Sequence, residues 1–342
     1  MSASLPTQPA FRVPSHDDVR MPSHDDVRAA AARIAPHIVR TPMLRHRLLD
    51  EITGGTILVK PEPLQRTGSF KLRGATNAAL RLDPARRAAG VVTHSSGNHG
   101  QATACAAAML GMPALIAMPQ DAPAIKVEST RRWGAEITFF DRKTTDRETL
   151  AERLAEERGG IVLPPFDHPD VIAGQGTLAL ELFEDAAPAG LKLDALAVCT
   201  GGGGLIAGCA LAAEGASPGT KVWAVEPEGW DDTKRSLEAG ARIANDGAGE
   251  TLCDALLSMR PGAITFAVNQ PRLAGGVVVT RAEVFRAMRF AFEHLKIVAE
   301  PGGAVALAAV LAGKVDARGK TVGVVVSGGN VDPAVFAQAL AA

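Results

Sequence analysis

Net charge is nearly absent from this chain: 342 residues carry 36 Lys and Arg against 37 Asp and Glu, a formal balance of −1. Such a surface gathers neither nucleic acid nor an anionic membrane. The basic pairs Arg86–Arg87 and Arg131–Arg132 stand isolated, without the interleaved aromatics of a nucleic-acid groove. Cysteine is scarce. The four present, Cys105, Cys199, Cys209 and Cys253, lie in apolar or Gly-rich stretches with no CxxC spacing. That argues against a disulfide framework or zinc site and for buried free thiols in a reducing compartment. No run reaches the roughly 18 apolar residues that span a bilayer. The start, MSASLPTQPA, lacks the basic-then-apolar pattern of a signal peptide. A soluble, cytoplasmic protein is expected.

What is there is an ordinary globular balance, 46% hydrophobic and 21% charged residues. The length suits one large domain or two interleaved ones. Residues 1–22 are rich in Pro, Ser and charge and read as a disordered extension. PSHDDVR occurs at Pro14–Arg20 and again at Pro22–Arg28, a local duplication rather than a repeat architecture. In the second copy Ser23 can cap a helix with Asp25 and Asp26 in its first turn.

From there short β-branched runs alternate with Ala-rich helical stretches. TILVK, GVVTH, PALIAMP, AEITFF, IVLPP, LDALAVCT, KVWAVEP and KTVGVVV read as strands. Near-continuously apolar strands between helices imply parallel sheets covered on both faces. The regular spacing from about 90 to 165 predicts a smaller α/β domain, residues 90–168, inserted in a larger one of 23–89 plus 169–342.

Open parallel sheets bind ligands at the carboxyl ends of their strands. Three polar, Gly-rich stretches fall there: SSGNHG after GVVTH, GGGG after LAVCT, and SGGN after GVVV. Consecutive glycines at 201–204 let several backbone N–H groups converge on one anion, and the following helix adds its positive end. A phosphate site is favoured over a tight turn. Gly202-x-Gly204-x-x-Ala207 also matches a dinucleotide fingerprint, with Glu226 at the spacing of a ribose contact, so an NAD-dependent oxidoreductase is a rival reading. Lys71, between Phe70 and Leu72 at the start of a helix, can lose hydration and with it pKa, which suits it to a Schiff base. Taken alone it reads better as a surface lysine.

These segments together resemble fold-type-II pyridoxal-phosphate enzymes, specifically the serine/threonine dehydratase and serine racemase family. The matching pieces are Gly68–Gly74 (GSFKLRG), Ser95–Gly100 (SSGNHG), Gly201–Gly204, Ala224-Val225-Glu226-Pro227, Glu300-Pro301 and Ser327-Gly328-Gly329-Asn330. They occur in family order and span nearly everything from residue 25 onward. A dinucleotide enzyme has no use for the lysine motif or the SSGNHG loop. The resemblance implies an α/β fold like the tryptophan synthase β chain, two open, mostly parallel sheets flanked by helices, in a homodimer. It implies that Lys71 holds pyridoxal 5'-phosphate and serves as base on Cα. Gly201, Gly202, Gly203 and Gly204 would cradle the phosphate, Asn98 would meet the ring hydroxyl and Phe70 the ring face. Ser327 would meet the pyridine nitrogen, and a neutral hydroxyl there makes a weaker electron sink than an aspartate does, which suits β-elimination.

By the same resemblance Ser95, Ser96, Gly97, Asn98 and His99 clamp the substrate carboxylate, His99 as an orienter of the loop rather than a base. Ser96 is the residue that keeps racemisation open, since a serine there can protonate Cα from the face opposite the lysine. Arg147 aligns with a cleft-facing arginine of some racemases and hydroxyaspartate dehydratases, against a helix-surface ion pair. Glu226, the backbone carbonyl of Trp230, and Asp232 resemble a divalent-cation loop for Mg²⁺, Mn²⁺ or Ca²⁺. Three departures stand out: Trp230 for a small residue, Ala255 for glycine, and Gly302 for Ser, Thr or Ala, the last expected to enlarge the pocket. They make 3-hydroxyaspartate or an aryl β-hydroxy amino acid credible beside L-serine and L-threonine. The expected activity is a dehydratase (ammonia-lyase) on a small β-hydroxy amino acid, with an amino-acid racemase as the alternative and a non-catalytic phosphate-binding protein as the third. The small domain is expected to close over substrate, and no regulatory domain is expected after the catalytic unit.

Overall fold

The computed structural model describes residues 20–342 apart from 96, 123, 142 and 248. The expected extension at 1–22 therefore lies almost wholly, and Ser96 wholly, outside the described residues. Nine strands are found among them: β1 (Thr56–Pro61), β2 (Val91–His94), β3 (Ala114–Pro119), β4 (Glu136–Phe140), β5 (Ile161–Val162), β6 (Ala195–Cys199), β7 (Lys221–Pro227), β8 (Leu273–Val279) and β9 (Thr321–Val326). They form a five-stranded sheet in the order β1-β9-β6-β7-β8 and a four-stranded one in the order β4-β3-β2-β5. Every pairing within the sheets is parallel. Apolar strands such as ALAVC (β6), buried at every position, require cover on both faces, and helices supply it.

The helices Pro169–Ala186, Gly204–Ala216 and Pro301–Leu311 are apolar nearly all round and form the core of the larger sheet. The first two touch backbone to backbone: a Cβ on Gly208 would stand 2.4 Å from the Gly176 nitrogen. The helix His24–Ile34 starts as its sequence predicts. Ser23 accepts from the Asp26 N–H while the Asp26 carboxylate accepts from the Ser23 N–H, a capping box. Strand β8 is the element that sequence patterning misses, because Gly275 and Gly276 interrupt its β-branched run. The gap is filled from the neighbouring strand, whose Trp223 ring lies 3.0 Å from where a Gly275 Cβ would be. The short helices Arg47–Thr53, Asp232–Ala239, Ala263–Asn269 and Pro333–Ala341 also escape the sequence pattern.

Four charges are buried together between β1 and two helices. Arg73 gives Nε and Nη2 to the Glu62 carboxylate at 2.8 and 2.9 Å. It gives Nη1 and Nη2 to Glu181 at 2.7 and 2.9 Å. Lys60 reaches Glu181 at 2.6 Å and the Thr41 carbonyl at 2.6 Å, and the Thr41 hydroxyl donates to Glu62 at 2.7 Å. Two cations thus balance two anions, and the carboxylate of Glu181 is held below its ordinary range, against the opposing pull of burial, by Arg73 and Lys60. Arg73 is 0% exposed. Replacing it by methionine leaves Lys60 alone against two buried carboxylates, Glu62 without its counter-charge, and should cost about 3–5 kcal/mol of unfolding free energy. Urea denaturation checks this, and a loss below about 1 kcal/mol would remove the quartet's structural role.

Candidate functional site

The carboxyl ends of β2, β6 and β9 converge on one cavity of about 180 Å³. It is lined by Phe70, Lys71, Ser95, Gly97, Asn98, His99, Arg147, Gly201, Gly202, Gly203, Gly204 and Ser327. Residues from the Lys71 segment, the SSGNHG stretch, the glycine run and the SGGN loop, more than 250 positions apart at the extremes, therefore share one space.

Lys71 opens the helix Lys71–Leu80, and its amine donates to the Pro165 carbonyl at 2.7 Å. Burial pulls its pKa down to about 8, against the opposing influence of Cys199 and Glu300. The segment is stitched to the SGGN loop: the Phe70 N–H donates to the Ser327 carbonyl at 3.0 Å, and Ser69 bridges Gly328. Ser327 is buried, beside the Cys199 thiol that burial pushes up to about 11.

The glycine run is held from outside. The Gly202 carbonyl accepts from the Thr265 hydroxyl at 2.7 Å and the Gly262 N–H at 3.2 Å. The Gly203 carbonyl accepts from the Asn269 amide at 3.3 Å. In a trans peptide the N–H points opposite its carbonyl, so the N–H groups of Gly203 and Gly204 turn away from those partners. Side chains are barred here. A Cβ on Gly202 would stand 2.5 Å from the Phe166 ring, and Gly203 takes φ +90°. The helix Gly204–Ala216 then adds its positive end. A backbone cradle with a lysine in the same cavity fits a phosphorylated aldehyde such as pyridoxal phosphate.

Asn98 is held on both sides: its Nδ2 donates to Glu300 at 2.5 Å, and its Oδ1 accepts from Asn330 at 2.8 Å. Burial raises Glu300 to about 7, with Asp254 adding to the rise. In the SSGNHG loop the Ser95 hydroxyl accepts from the Gly97 N–H at 3.2 Å. His99 is buried, and its Nε2 lies 3.0 Å from the Leu163 carbonyl, so Nε2 carries the proton and Nδ1 is a bare acceptor. Burial and the Lys71 charge drive its pKa to about 3. The ring is an anchor between helix and strand end, with no proton to exchange near neutrality.

Arg147, first in the helix Arg147–Arg158, makes no ion pair among the described residues. Instead its charge, together with burial as the larger cause, brings His94 down to about 4. A Cβ on Gly302, where the sequence predicts an enlarged pocket, would stand 3.3 Å from both the Ala255 methyl and the Leu256 Cγ, so these two departures are neighbours in the fold.

Glu226, Trp230 and Asp232 lie away from this cavity. Glu226 is buried and caps the helix Asp232–Ala239, accepting from the Thr233 and Lys234 N–H groups at 2.8 Å each. Burial and its neighbour Asp232 raise it to about 8. Asp232 accepts from Asn245 at 2.7 Å through Oδ1, while its buried Oδ2 has no partner among the described residues. Trp230 gives its indole N–H to the Gly249 carbonyl at 2.7 Å. No three His, Cys, Asp or Glu side chains converge as a metal cluster among the described residues.

Sequence reasoning missed several members of the cavity: Phe166, Gln175, Lys126 and Asp254. It also missed Asp167, whose carboxylate accepts from the N–H groups of Ala263, Ile264 and Thr265 at 2.9–3.0 Å. That clamp fixes the helix behind the glycine run. The signal was the Pro164–Pro169 stretch (PPFDHP), too polar and aromatic for an idle connection.

A family model described as pyridoxal-phosphate dependent enzyme matches residues 34–328. L-threo-3-hydroxyaspartate ammonia-lyase of a Pseudomonas species is 46% identical over 311 residues, 91% of this chain and 96% of the relative. Serine racemase of Schizosaccharomyces pombe is 40% identical over 328 residues, 96% and 98% of the two chains. The crystal structure of a threonine deaminase from T.th. superimposes with a TM-score of 0.85 at 44% identity, covering 91% of this chain and 99% of that one.

Lys71 yields a prediction that needs no turnover. With a pKa near 8 its amine becomes nucleophilic as pH rises through 8. Capture of added pyridoxal phosphate by the cofactor-free protein, followed by absorbance, should accelerate from about pH 6.5 and level off above about 9. An acceleration that continues toward about pH 10.4, as for an ordinary lysine, would contradict the desolvated environment. Lys71→Ala should show no capture.

Proposed function

The chain belongs to the pyridoxal-phosphate dependent enzymes and is a carbon–oxygen lyase of that family, and on that premise we propose that it removes ammonia from L-threo-3-hydroxyaspartate. One observation carries the choice of substrate. Arg147 lines the cavity as a cation without a counter-charge among the described residues, which suits a substrate bearing a second carboxylate on Cβ. The relative named for that activity supports the choice.

When bound, pyridoxal phosphate supplies the electron sink that lets a proton leave the substrate's Cα. Lys71 would hold it, with Gly201–Gly204 on the phosphate, Asn98 at the ring hydroxyl, Phe70 on the ring face and Ser327 at the pyridine nitrogen. Lys71, neutral above about pH 8, takes the Cα proton. Ser95 and the N–H groups of the loop through His99 hold the α-carboxylate, and Arg147 the distal one. The proton taken from Cα passes to the β-hydroxyl, which leaves as water; the product then takes up water and releases ammonia, so one 2-oxo acid and one ammonia form per substrate consumed.

The racemase reading rests on Ser96 as an acid on the opposite face of Cα. The division into a larger part (23–89 plus 169–342) and a smaller one (90–168), and a cytoplasmic homodimer, belong to the same proposal. So does a divalent cation held by Glu226, Asp232 and the Trp230 carbonyl, which suits the unpartnered Asp232 Oδ2 and the mutual repulsion of the two carboxylates.

The deciding assay is 2-oxo-acid release across L-threo-3-hydroxyaspartate, L-serine, D-serine, L-threonine and threo-phenylserine. We expect 3-hydroxyaspartate to lead. Arg147→Leu should lower its kcat/KM about 10–100-fold, the effect of losing a charged hydrogen bond, and leave L-serine nearly unchanged. Equal losses on both substrates would remove Arg147 from distal-carboxylate recognition. Deuterium entering Cα from solvent without oxo-acid release, and abolished in Ser96→Ala, would favour the racemase. For the cation, Mg²⁺, Mn²⁺ or Ca²⁺ should raise the Tm of the parent protein and not that of Asp232→Asn; no shift with any of the three would overturn it.

A further inference from the structure

The stretch proposed to clamp the α-carboxylate contains no formal positive charge: two serines, two glycines, an asparagine and a neutral histidine. A cation stands beside its Gly97, namely Lys126, from the helix Ala124–Arg131. Its amine stands 3.8 Å from where a Gly97 Cβ would be, and it lines the same cavity. That amine donates to Asp254, which lies in a 3₁₀ turn, Asp254–Leu256, belonging to the other side of the cleft. The turn is seated on the phosphate cradle: a Cβ on Gly201 would stand 3.2 Å from the Leu256 Cα.

The pair therefore links the SSGNHG stretch, at Gly97, to the turn that packs on the glycine run, and both of its members line the cavity. An ammonium carries three donors, and Asp254 is its one acceptor among the described residues. Lys126 is mostly covered, at 17% exposure of its side chain, whereas Asp254 is half in solvent at 52%. Water can solvate the released aspartate more readily than it can solvate the lysine. A carboxylate arriving at Gly97 thus meets a cation already in place, whose present partner is the easier of the two to give up.

We propose that Lys126 is a substrate-carboxylate residue: it is paired with Asp254 in the resting enzyme and exchanges that partner for the α-carboxylate of the incoming amino acid. This rests on the cofactor reading above and is independent of which β-hydroxy amino acid is turned over. The exchange gives the enzyme a charge preference in binding. A ligand without a carboxylate leaves the Lys126–Asp254 pair intact, and one with a carboxylate takes the place of Asp254.

The test is made on the holoenzyme by titrating the cofactor absorbance with L-alanine, which has no β-hydroxyl to lose, and with L-alaninamide, which lacks the carboxylate charge. The ratio of their two Kd values measures recognition of that charge within each variant, so a general loss of stability cancels. Lys126→Met should shrink the preference for the acid about tenfold, a charged hydrogen bond's worth, and Lys126→Arg should restore most of it. Asp254→Asn should keep or raise the preference, by up to about fivefold, because a half-exposed competitor has been removed. An unchanged ratio in Lys126→Met overturns the proposal. So does a ratio that falls as far in Asp254→Asn as in Lys126→Met, which would make the pair a strut and nothing more. If the parent's absorbance responds to neither ligand, the cofactor reading fails together with this one; a response with an unchanged ratio sinks this one alone.

Discussion

The four buried charges of Lys60, Glu62, Arg73 and Glu181 are the constraint on which the site depends. A guanidinium with 0% exposure survives in a core only if every donor is met and its charge is balanced. Meeting those terms ties β1, the helix that starts at Lys71 and the long helix Pro169–Ala186 into one unit with a single allowed geometry. Lys71 stands two residues before Arg73, at the first turn of the same helix. Its amine extends from a helix that those buried bonds pin in place, which keeps it in register with the cavity.

Around that fixed point the cavity is built chiefly from backbone. Thr265, Asn269 and Gly262 pull the glycine carbonyls outward, and Asp167 holds the helix that carries two of them. The N–H groups are left facing in without any side chain having to supply a charge. The ionisable groups that do line the cavity are tuned by burial in opposite senses: Lys71 downward, Glu300 upward. Both stand near their titration points at neutral pH, which is where proton transfer is easiest to drive either way. His99 is pushed so far that it is neutral throughout, and its role reduces to anchoring.

Two substitutions that look independent along the chain are coupled in space. Ala255 and Gly302 are 47 positions apart, yet the methyl of one stands 3.3 Å from where a Cβ on the other would be. Read singly, each suggested an altered pocket; in the fold they are neighbours, so a side chain at either bears on the other. A similar coupling governs Trp223 and Gly275, where a large ring on one strand makes up for the missing side chain on the next.

The amino-acid sequence by itself determined the alternation of apolar strands and helices, the parallel sheets this demands, and the Gly-rich stretches at strand ends. Those features are local, set by periodicity and backbone freedom within a few residues. Lys71, Asn98 and Ser327 were named through the family resemblance that six short motifs in order carry, and Gly201–Gly204 also by their own backbone freedom. Strand β8 was not legible, since its glycines carry no strand signal until Trp223 lies against them. The contributions of Asp167, Lys126, Asp254 and Glu300 were decided only in three dimensions. A carboxylate or ammonium has the same composition anywhere in a chain; its hydration, its partner and its distance from a cavity come from segments remote in sequence, and folding alone brings them into contact.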